Sequence, residues 1–316
     1  MPSTVTRWIA TEFGDPNVLT KVTEPLDAPA SGQVTIEIRA AGMNPADYKM
    51  FANIPGRASQ PLPVRPGYEV AGVISTIGEN TEIASGGGAV GDEVMAFRVS
   101  GGYASAITVP ASDVFAKPSA LSFPEAANLL LASATAAEAI DATKLRTGET
   151  LLIHGGSGAV GIAATQLAVD LGARVISTAS PARFDEVRRF GGEPMKYGAG
   201  LEERVRAAAP HGIDVAFDFI GTDEAIDVSL AVVPDRDRIL TIAAYGRVEP
   251  EGIRYIGGAL PTSAAFRAAV RPRLIALAAE GKLIIPVART FALADAIEAV
   301  TLLKSGHPGG KLALIP

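Results

Sequence analysis

Gly156, Gly158 and Gly161 stand directly between the apolar run 151–153 and a second apolar run, 162–171. The spacing fits G-x-G-x-x-G, and the chemistry it serves is binding of a dinucleotide pyrophosphate. The first glycine makes a tight turn, the second lets phosphate approach the backbone, and the third lets a helix pack on a strand. Ser157, Ala159 and Val160 complete the loop and open the helix, whose N-terminus meets an anion with unsatisfied N–H groups and the positive end of its dipole. With 33 glycines in 316 residues the glycine pattern alone is unspecific. A strand before it, a helix after it and a further strand at 174–178 supply the βαβ context that makes it a dinucleotide site.

The residues after that further strand bear on which dinucleotide. An Asp or Glu about 20 residues past the glycines usually grips the ribose 2′-hydroxyl of NAD, and none is there. The segment 175–183 offers the hydroxyls of Ser177, Thr178 and Ser180 and the guanidinium of Arg183, a set suited to a 2′-phosphate because Arg can bind one bidentately. NADPH is therefore expected over NADH. In the alternative reading the hydroxyls cap the helix that follows and Arg183 lies on a solvated face.

These groups need a scaffold, and the chain is long enough for two domains. Residues 1–118 are punctuated by Gly and Pro and carry strand patterns at 34–40, 67–77 and 94–97. From Pro124 the texture alternates: helix at 124–140, strand, helix, strand, helix at 181–191, with later buried strands at 214–220 and 238–243. Such alternation predicts a doubly wound parallel sheet. Residues 261–281 have helical period apart from Pro272, Phe291 leads into a helix at 292–305, and 311–315 reads as a final strand. The loops include 28–32 and 86–88.

Composition narrows the function. A net charge of −6 with no basic cluster makes nucleic acid and anionic membrane poor partners. The uncharged stretch 151–169 is interrupted by His154, the glycine turn and Gln166, so no membrane span is expected. No apolar segment follows a basic one within residues 1–15, so no signal peptide is expected. The chain has no cysteine and three histidines, His154, His211 and His307. That removes disulfides, thiolate metal sites and cysteine nucleophiles, and it suits a reducing cytoplasm.

Several segments share their order with one family: 42–49 (GMNPADYK), 66–73 (PGYEVAGV), 91–94 (GDEV), 101–104 (GGYA), 131–136 (LASATA), the Gly156 loop, and the Gly-Gly-Lys-Leu stretch that starts at Gly309. Together they resemble the zinc-free quinone oxidoreductases of the medium-chain dehydrogenase/reductase superfamily, over nearly the whole chain. The resemblance implies an α/β protein with a GroES-like, β-barrel-rich catalytic domain at 1–119 and 282–316. Between these parts it places a Rossmann NADPH-binding domain, a doubly wound parallel sheet at 120–281, and it implies a homodimer. Zinc-dependent relatives use Cys and a Gly-His-Glu segment as ligands. This chain has Tyr68 where that His would lie, so no metal site is expected. Without a Lewis acid a simple alcohol/ketone couple is a poor reaction, and hydride transfer to a quinone or conjugated carbonyl remains, because conjugation spreads the developing charge.

By the resemblance, Asn44 and the residues after it line the acceptor side of the nicotinamide, and Tyr48 is the chosen donor to the acceptor oxygen. Thr135 touches the nicotinamide face, and Tyr197 lies near the adenosine ribose and 2′-phosphate. Ala243, Ala244 and Tyr245 follow a buried strand whose C-terminal end should meet the nicotinamide, where backbone groups could hold its carboxamide. Asp47 is expected to pair with loop N–H groups and His154 to be structural. The expected activity is NADPH-dependent quinone reduction without zinc. The alternatives are an enone, alkenal or enoyl-thioester reductase on the same scaffold, and a non-catalytic NADPH-binding protein.

Overall fold

The computed structural model describes residues 4–54, 61–306 and 310–316. Within them the chain divides into two compact units, Met1–Leu131 with Ile285–Pro316, and Ala132–Ile284.

The first unit begins with β1 (Thr4–Ala10) and β2 (Leu19–Pro25), an antiparallel pair. β3 (Gln33–Met43) then runs into the short helix α1 (Pro45–Lys49), and β4 (Glu69–Ile77), β5 (Glu93–Phe97), β6 (Ala106–Pro110), β7 (Val114–Ala116) and helix α2 (Phe123–Ala126) follow. Val34, Ile36 and Ile38 of β3 are buried with Val70 and Ile74 of β4, and with Trp8 and Tyr103. The hydrophobic gain of removing these side chains from water, about 1.5–3 kcal/mol each, holds the sheet together. α1 starts where a helix should, with Asn44 at the N-cap, Pro45 in the first turn and Asp47 three residues on. The Asp47 carboxylate accepts the Asn44 N–H at 2.7 Å, which satisfies one of the donors a helix start leaves open.

The second unit contains the parallel sheet. α3 (Leu130–Thr143) leads to β8 (Thr150–His154), α4 (Ala159–Asp170), β9 (Arg174–Ala179), α5 (Phe184–Arg189), β10 (Glu193–Lys196), α6 (Leu201–Ala208), β11 (Val215–Asp218), α7 (Asp223–Val232), β12 (Ile239–Thr241), α8 (Tyr245–Glu251), β13 (Arg254–Tyr255) and α9 (Pro261–Ala279). The strand order is β10-β9-β8-β11-β12-β13, parallel throughout. Numbered within the sheet this is 3-2-1-4-5-6, the Rossmann order, and its switch point falls between β8 and β11, where dinucleotides bind. Helices on both faces bury Leu152, Ile176, Ala216 and Ile239 completely, so these strands read as apolar runs rather than alternating ones.

The chain then returns to the first unit as β14 (Val287–Ala292), α10 (Ala296–Lys304) and β15 (Lys311–Ile315). The larger sheet of that unit is ordered β14-β15-β3-β4-β5-β7, with β6 also paired to β3. β15 runs antiparallel to β3 with Leu312 opposite Met43, so the end of the chain lies beside the start of α1.

Four expected elements differ, one of them the helix expected at 292–305, which begins only at Ala296 after β14 and a 3-10 turn. The helix expected at 124–140 is two helices, α2 and α3, separated at 127–129. There the Asn128 amide donates to the Pro124 carbonyl at 2.9 Å, and side-chain competition of this kind interrupts helices. Pro272 does not break α9; Pro272 and Ala268, whose carbonyl loses its partner, both face solvent, where water replaces the missing bond. The expected 181–191 helix opens as a 3-10 turn at Pro181–Arg183 before α5.

Candidate active site

The glycine turn links β8 to α4. Its left-handed residue is Gly155, with φ of 86°, one position before the glycine expected to make the tight turn. Gly156 is needed for another reason: a Cβ there would lie 2.3 Å from the Ser177 Cβ on β9. At Gly161 a Cβ would come within 2.3 Å of the Gly155 carbonyl, so this glycine allows α4 to sit on the turn. Gly158 differs from both. It is the N-cap of α4 with φ of −77° and no side-chain cap, and a Cβ would meet only the Gly155 carbonyl, at 3.4 Å. The space over Gly158 and the uncapped N–H groups of a 12-residue helix suit a pyrophosphate.

The structure separates the four residues expected at the 2′-phosphate. Ser177 is fully buried, with its hydroxyl 3.4 Å from that of Thr165, so it serves strand–helix packing. Thr178, also buried, accepts the Gly155 N–H at 3.2 Å and thereby pins the turn. Ser180 and Arg183 remain near the surface past the end of β9, and Arg183 is ion-paired with Glu186. Parallel pairing sets Lys196 opposite Ala179, so the half-exposed Tyr197 follows level with Ser180. Lys196 was not foreseen. Its only signal is its position directly before Tyr197.

At the far side of the switch point, the buried Asp218 accepts N–H groups from Ile220 and Gly221 at 3.0 and 2.8 Å and the Thr241 hydroxyl at 2.7 Å. The N–H groups of Ala243 and Ala244 both donate to the Thr241 hydroxyl oxygen, at 3.0 and 2.9 Å. Both N–H groups are thus engaged within the loop itself. Tyr245 is exposed and packs edge-on against Tyr255, with ring centroids 4.9 Å apart. Tyr255, Glu138, Ser263 and Phe266 border a cavity of about 410 Å³, built largely by the segment after Gly246. Thr135 is buried one turn before Glu138 on α3.

His154 ends β8, buried, and its Nε2 meets no partner among the described residues. Burial pulls its pKa down to about 4, against the attraction of Asp218, so the ring is neutral. The unfolded chain takes up a proton near pH 6.5 that the folded protein refuses until about pH 4. Stability should therefore fall as pH drops through that window, by about 3 kcal/mol at about 1.4 kcal/mol per pH unit. Urea unfolding at pH 4.0 and 6.5 should show this difference shrinking by that amount in His154→Leu. An identical difference in both proteins would refute the assignment.

In the first unit the site residues sit at the β3–α1 turn. Asn44 and Asp47 are fully or almost fully buried. Asp47 accepts from the N–H groups of Asn44 at 2.7 Å and Tyr68 at 3.2 Å and from the Tyr103 hydroxyl at 3.0 Å. Burial pushes its carboxyl up to about 7 against the pull of Asn44, Lys311 and Tyr103. The Asn44 amide donates to Glu69 at 2.9 Å and accepts from Lys311. Tyr48 is part-buried against the core, and its hydroxyl has no hydrogen-bond partner among the described residues. Glu69, Tyr103 and Lys311 belong to this cluster, although the sequence marked them only as motif positions. Among the described residues no group of His, Asp or Glu is arranged to hold a metal ion.

Residues 30–119 match the alcohol dehydrogenase GroES-like domain and residues 196–314 the zinc-binding dehydrogenase family. The quinone oxidoreductase of Escherichia coli, solved in complex with NADPH, has a TM-score of 0.84 at 25% identity, over 98% of this chain and 100% of that one. An NADPH-dependent alkenal/one oxidoreductase of Arabidopsis thaliana, described as chloroplastic, is 28% identical over 100% of this chain and 81% of that protein. The synaptic vesicle membrane protein VAT-1 homolog of Rattus norvegicus is 35% identical over 203 residues, 61% of this chain and 48% of that protein. The chain thus spans about half the length of the VAT-1 homologs it matches.

A GroES-like unit with a Rossmann unit and this glycine turn defines a medium-chain dehydrogenase/reductase. Within that superfamily the chain is similar to quinone oxidoreductases, among them those of Coxiella burnetii and Escherichia coli.

Proposed function

We propose that this protein transfers hydride from NADPH to a quinone without zinc. The observation that carries the reading is the open turn at Gly158, where a Cβ would meet only the Gly155 carbonyl at the N-terminus of α4. The chain has no thiolate, and Tyr68 stands where zinc-dependent relatives place a histidine ligand.

NADPH, when bound, supplies the hydride. The α4 N-terminus and the backbone of 156–161 hold its pyrophosphate, and Ser180, Arg183, Lys196 and Tyr197 hold the 2′-phosphate. Ala243–Tyr245 and Thr135 bound the nicotinamide. Tyr48 donates to the acceptor oxygen as it gains negative charge, assisted by Asn44, and this preorganised donation lowers the barrier. The proton that completes quinol formation comes from water. The names of the Escherichia coli and Arabidopsis relatives support NADPH as donor and leave quinones and conjugated carbonyls as the two acceptor classes. Hydride delivery to the β-carbon of an enone is the second reading, favoured by the alkenal/one relative.

Steady-state NADPH oxidation against a panel of quinones, enones and alkenals tests the choice. The highest kcat/KM is expected for a quinone, and an enone preferred by tenfold or more would replace this reading with the second. Removing the guanidinium in Arg183→Ala should cut the preference for NADPH over NADH by about 1.5–3 kcal/mol, the worth of a charge-assisted bond. Calorimetry showing the same preference in both proteins would leave the 2′-phosphate to Lys196 and Tyr197.

A cytoplasmic location and a homodimeric state are part of the same proposal. The absence of cysteine suits a reducing compartment, and among the described residues β13 is the edge strand of its sheet, where a second copy could pair. Light scattering should give about twice 32.5 kDa.

A further inference from the structure

Lys311 is the first residue of β15, and its side chain is 5% exposed. Its ammonium donates to the Met43 carbonyl at 2.8 Å and to the Asn44 amide oxygen, and lies 3.7 Å from the Glu69 carboxylate. The nitrogen of the same amide donates to that carboxylate at 2.9 Å, and the second Glu69 oxygen accepts the Leu131 N–H at 2.8 Å.

An anchor for the chain end would need only the Met43 carbonyl. The contacts to Asn44 add orientation. A primary amide can be turned end for end at little cost when its partners are hydroxyls, which donate or accept as required. Here one end faces a cation and the other an anion, both buried. Reversal would set donor against donor and oxygen against carboxylate, each buried, and each such mismatch is costly. Lys311 and Glu69 therefore hold the Asn44 amide in one orientation, with one N–H on its nitrogen left beyond the bond to Glu69. An ammonium on the amide oxygen also polarises the group, which strengthens that N–H as a donor.

We propose that Lys311 is a positioning residue for hydride transfer: from the last strand it fixes and polarises the Asn44 amide as a donor to the acceptor oxygen. The proposal rests on the functional reading above, in which Asn44 assists Tyr48.

The test compares wild type with Lys311→Met and with Lys311→Met/Glu69→Gln. The single variant leaves Glu69 buried without its cation and can fail to fold; the double variant removes that buried charge pair together, with Asp47 the remaining ionisable carboxyl of the cluster. Turnover is expressed per NADPH bound at saturation, so that loss of folded protein does not count. The double variant is expected to bind NADPH within twofold of wild type and to lose at least tenfold in kcat for a quinone, with KM changed less than threefold. Spectra of protein labelled with ¹⁵N-asparagine give a readout independent of turnover. The Asn44 side-chain amide, assigned by its loss in Asn44→Asp, should exchange slowly in wild type and at least tenfold faster in the double variant.

Wild-type kcat with unchanged amide exchange in the double variant would overturn the proposal and leave Lys311 as a tie for the chain end. Wild-type protein that oxidises no NADPH with any acceptor would instead overturn the functional reading, and the proposal with it.

Discussion

Gly158→Val should abolish NADPH binding and leave the fold intact. The backbone at Gly158 has φ of −77°, which any residue adopts, and a Cβ there touches only the Gly155 carbonyl, at 3.4 Å. The valine methyls would project into the space assigned to the pyrophosphate and screen the α4 N–H groups from it. Affinity should drop at least 100-fold, about 2.7 kcal/mol, with Tm changed by only a few degrees. Gly161→Val is the contrast. Its Cβ would lie 2.3 Å from the Gly155 carbonyl and 2.8 Å from the Gly156 Cα, backbone atoms that cannot yield cheaply. That variant should lose about 1–3 kcal/mol of stability or more through overpacking. Fluorescence titration with NADPH beside thermal unfolding separates the two, and normal binding by Gly158→Val would move the phosphate site away from this turn.

Tyr48→Phe should lower kcat for a quinone by about 100-fold, with NADPH affinity unchanged. One donor to a developing oxyanion is typically worth about 2.7–4 kcal/mol when removed. The hydroxyl makes no hydrogen bond among the described residues, so its loss leaves no protein group unsatisfied, and folding should be unaffected. Single-turnover mixing of NADPH-loaded protein with quinone measures the step. A rate within threefold of wild type would mean that Tyr48 only shapes the pocket, and the Asn44 amide would take its place as the principal donor.

The parts of this protein that were legible in the sequence are those whose physics is local. The β8–turn–α4 unit shows itself through an apolar run, three glycines and a second apolar run, because strand, turn and helix each impose their own period and backbone demand. The start of α1 carries a cap signature too, in Asn44, Pro45 and Asp47, but five residues are too short for a helical period to show, and the helix was not read. What depends on distant packing was not legible. That Ser177 points under the glycine turn follows from the closeness of β9 to Gly156, and no hydroxyl count reveals it. The use of the Ala243 and Ala244 N–H groups by Thr241 is likewise a matter of how one loop folds back. Lys311 and Asn44 are 267 positions apart, and only the pairing of β15 with β3 joins them. The segment after Gly246 resisted reading because its signals are weak: α8 contains Pro250, and β13 has two residues, too few for any period to show.

One measurement bears most directly on the central claim, that hydride passes from NADPH to a quinone with no metal taking part. Chelator-dialysed protein is loaded with NADPH deuterated at the transferring position of C4 and mixed with quinone in a stopped-flow instrument, beside the same experiment with unlabelled NADPH and with undialysed protein. The account predicts rapid single-turnover oxidation, slowed about two- to fivefold by deuterium and unchanged by dialysis. Oxidation that stops on dialysis and returns with zinc, or no oxidation of bound NADPH by any quinone, would contradict it.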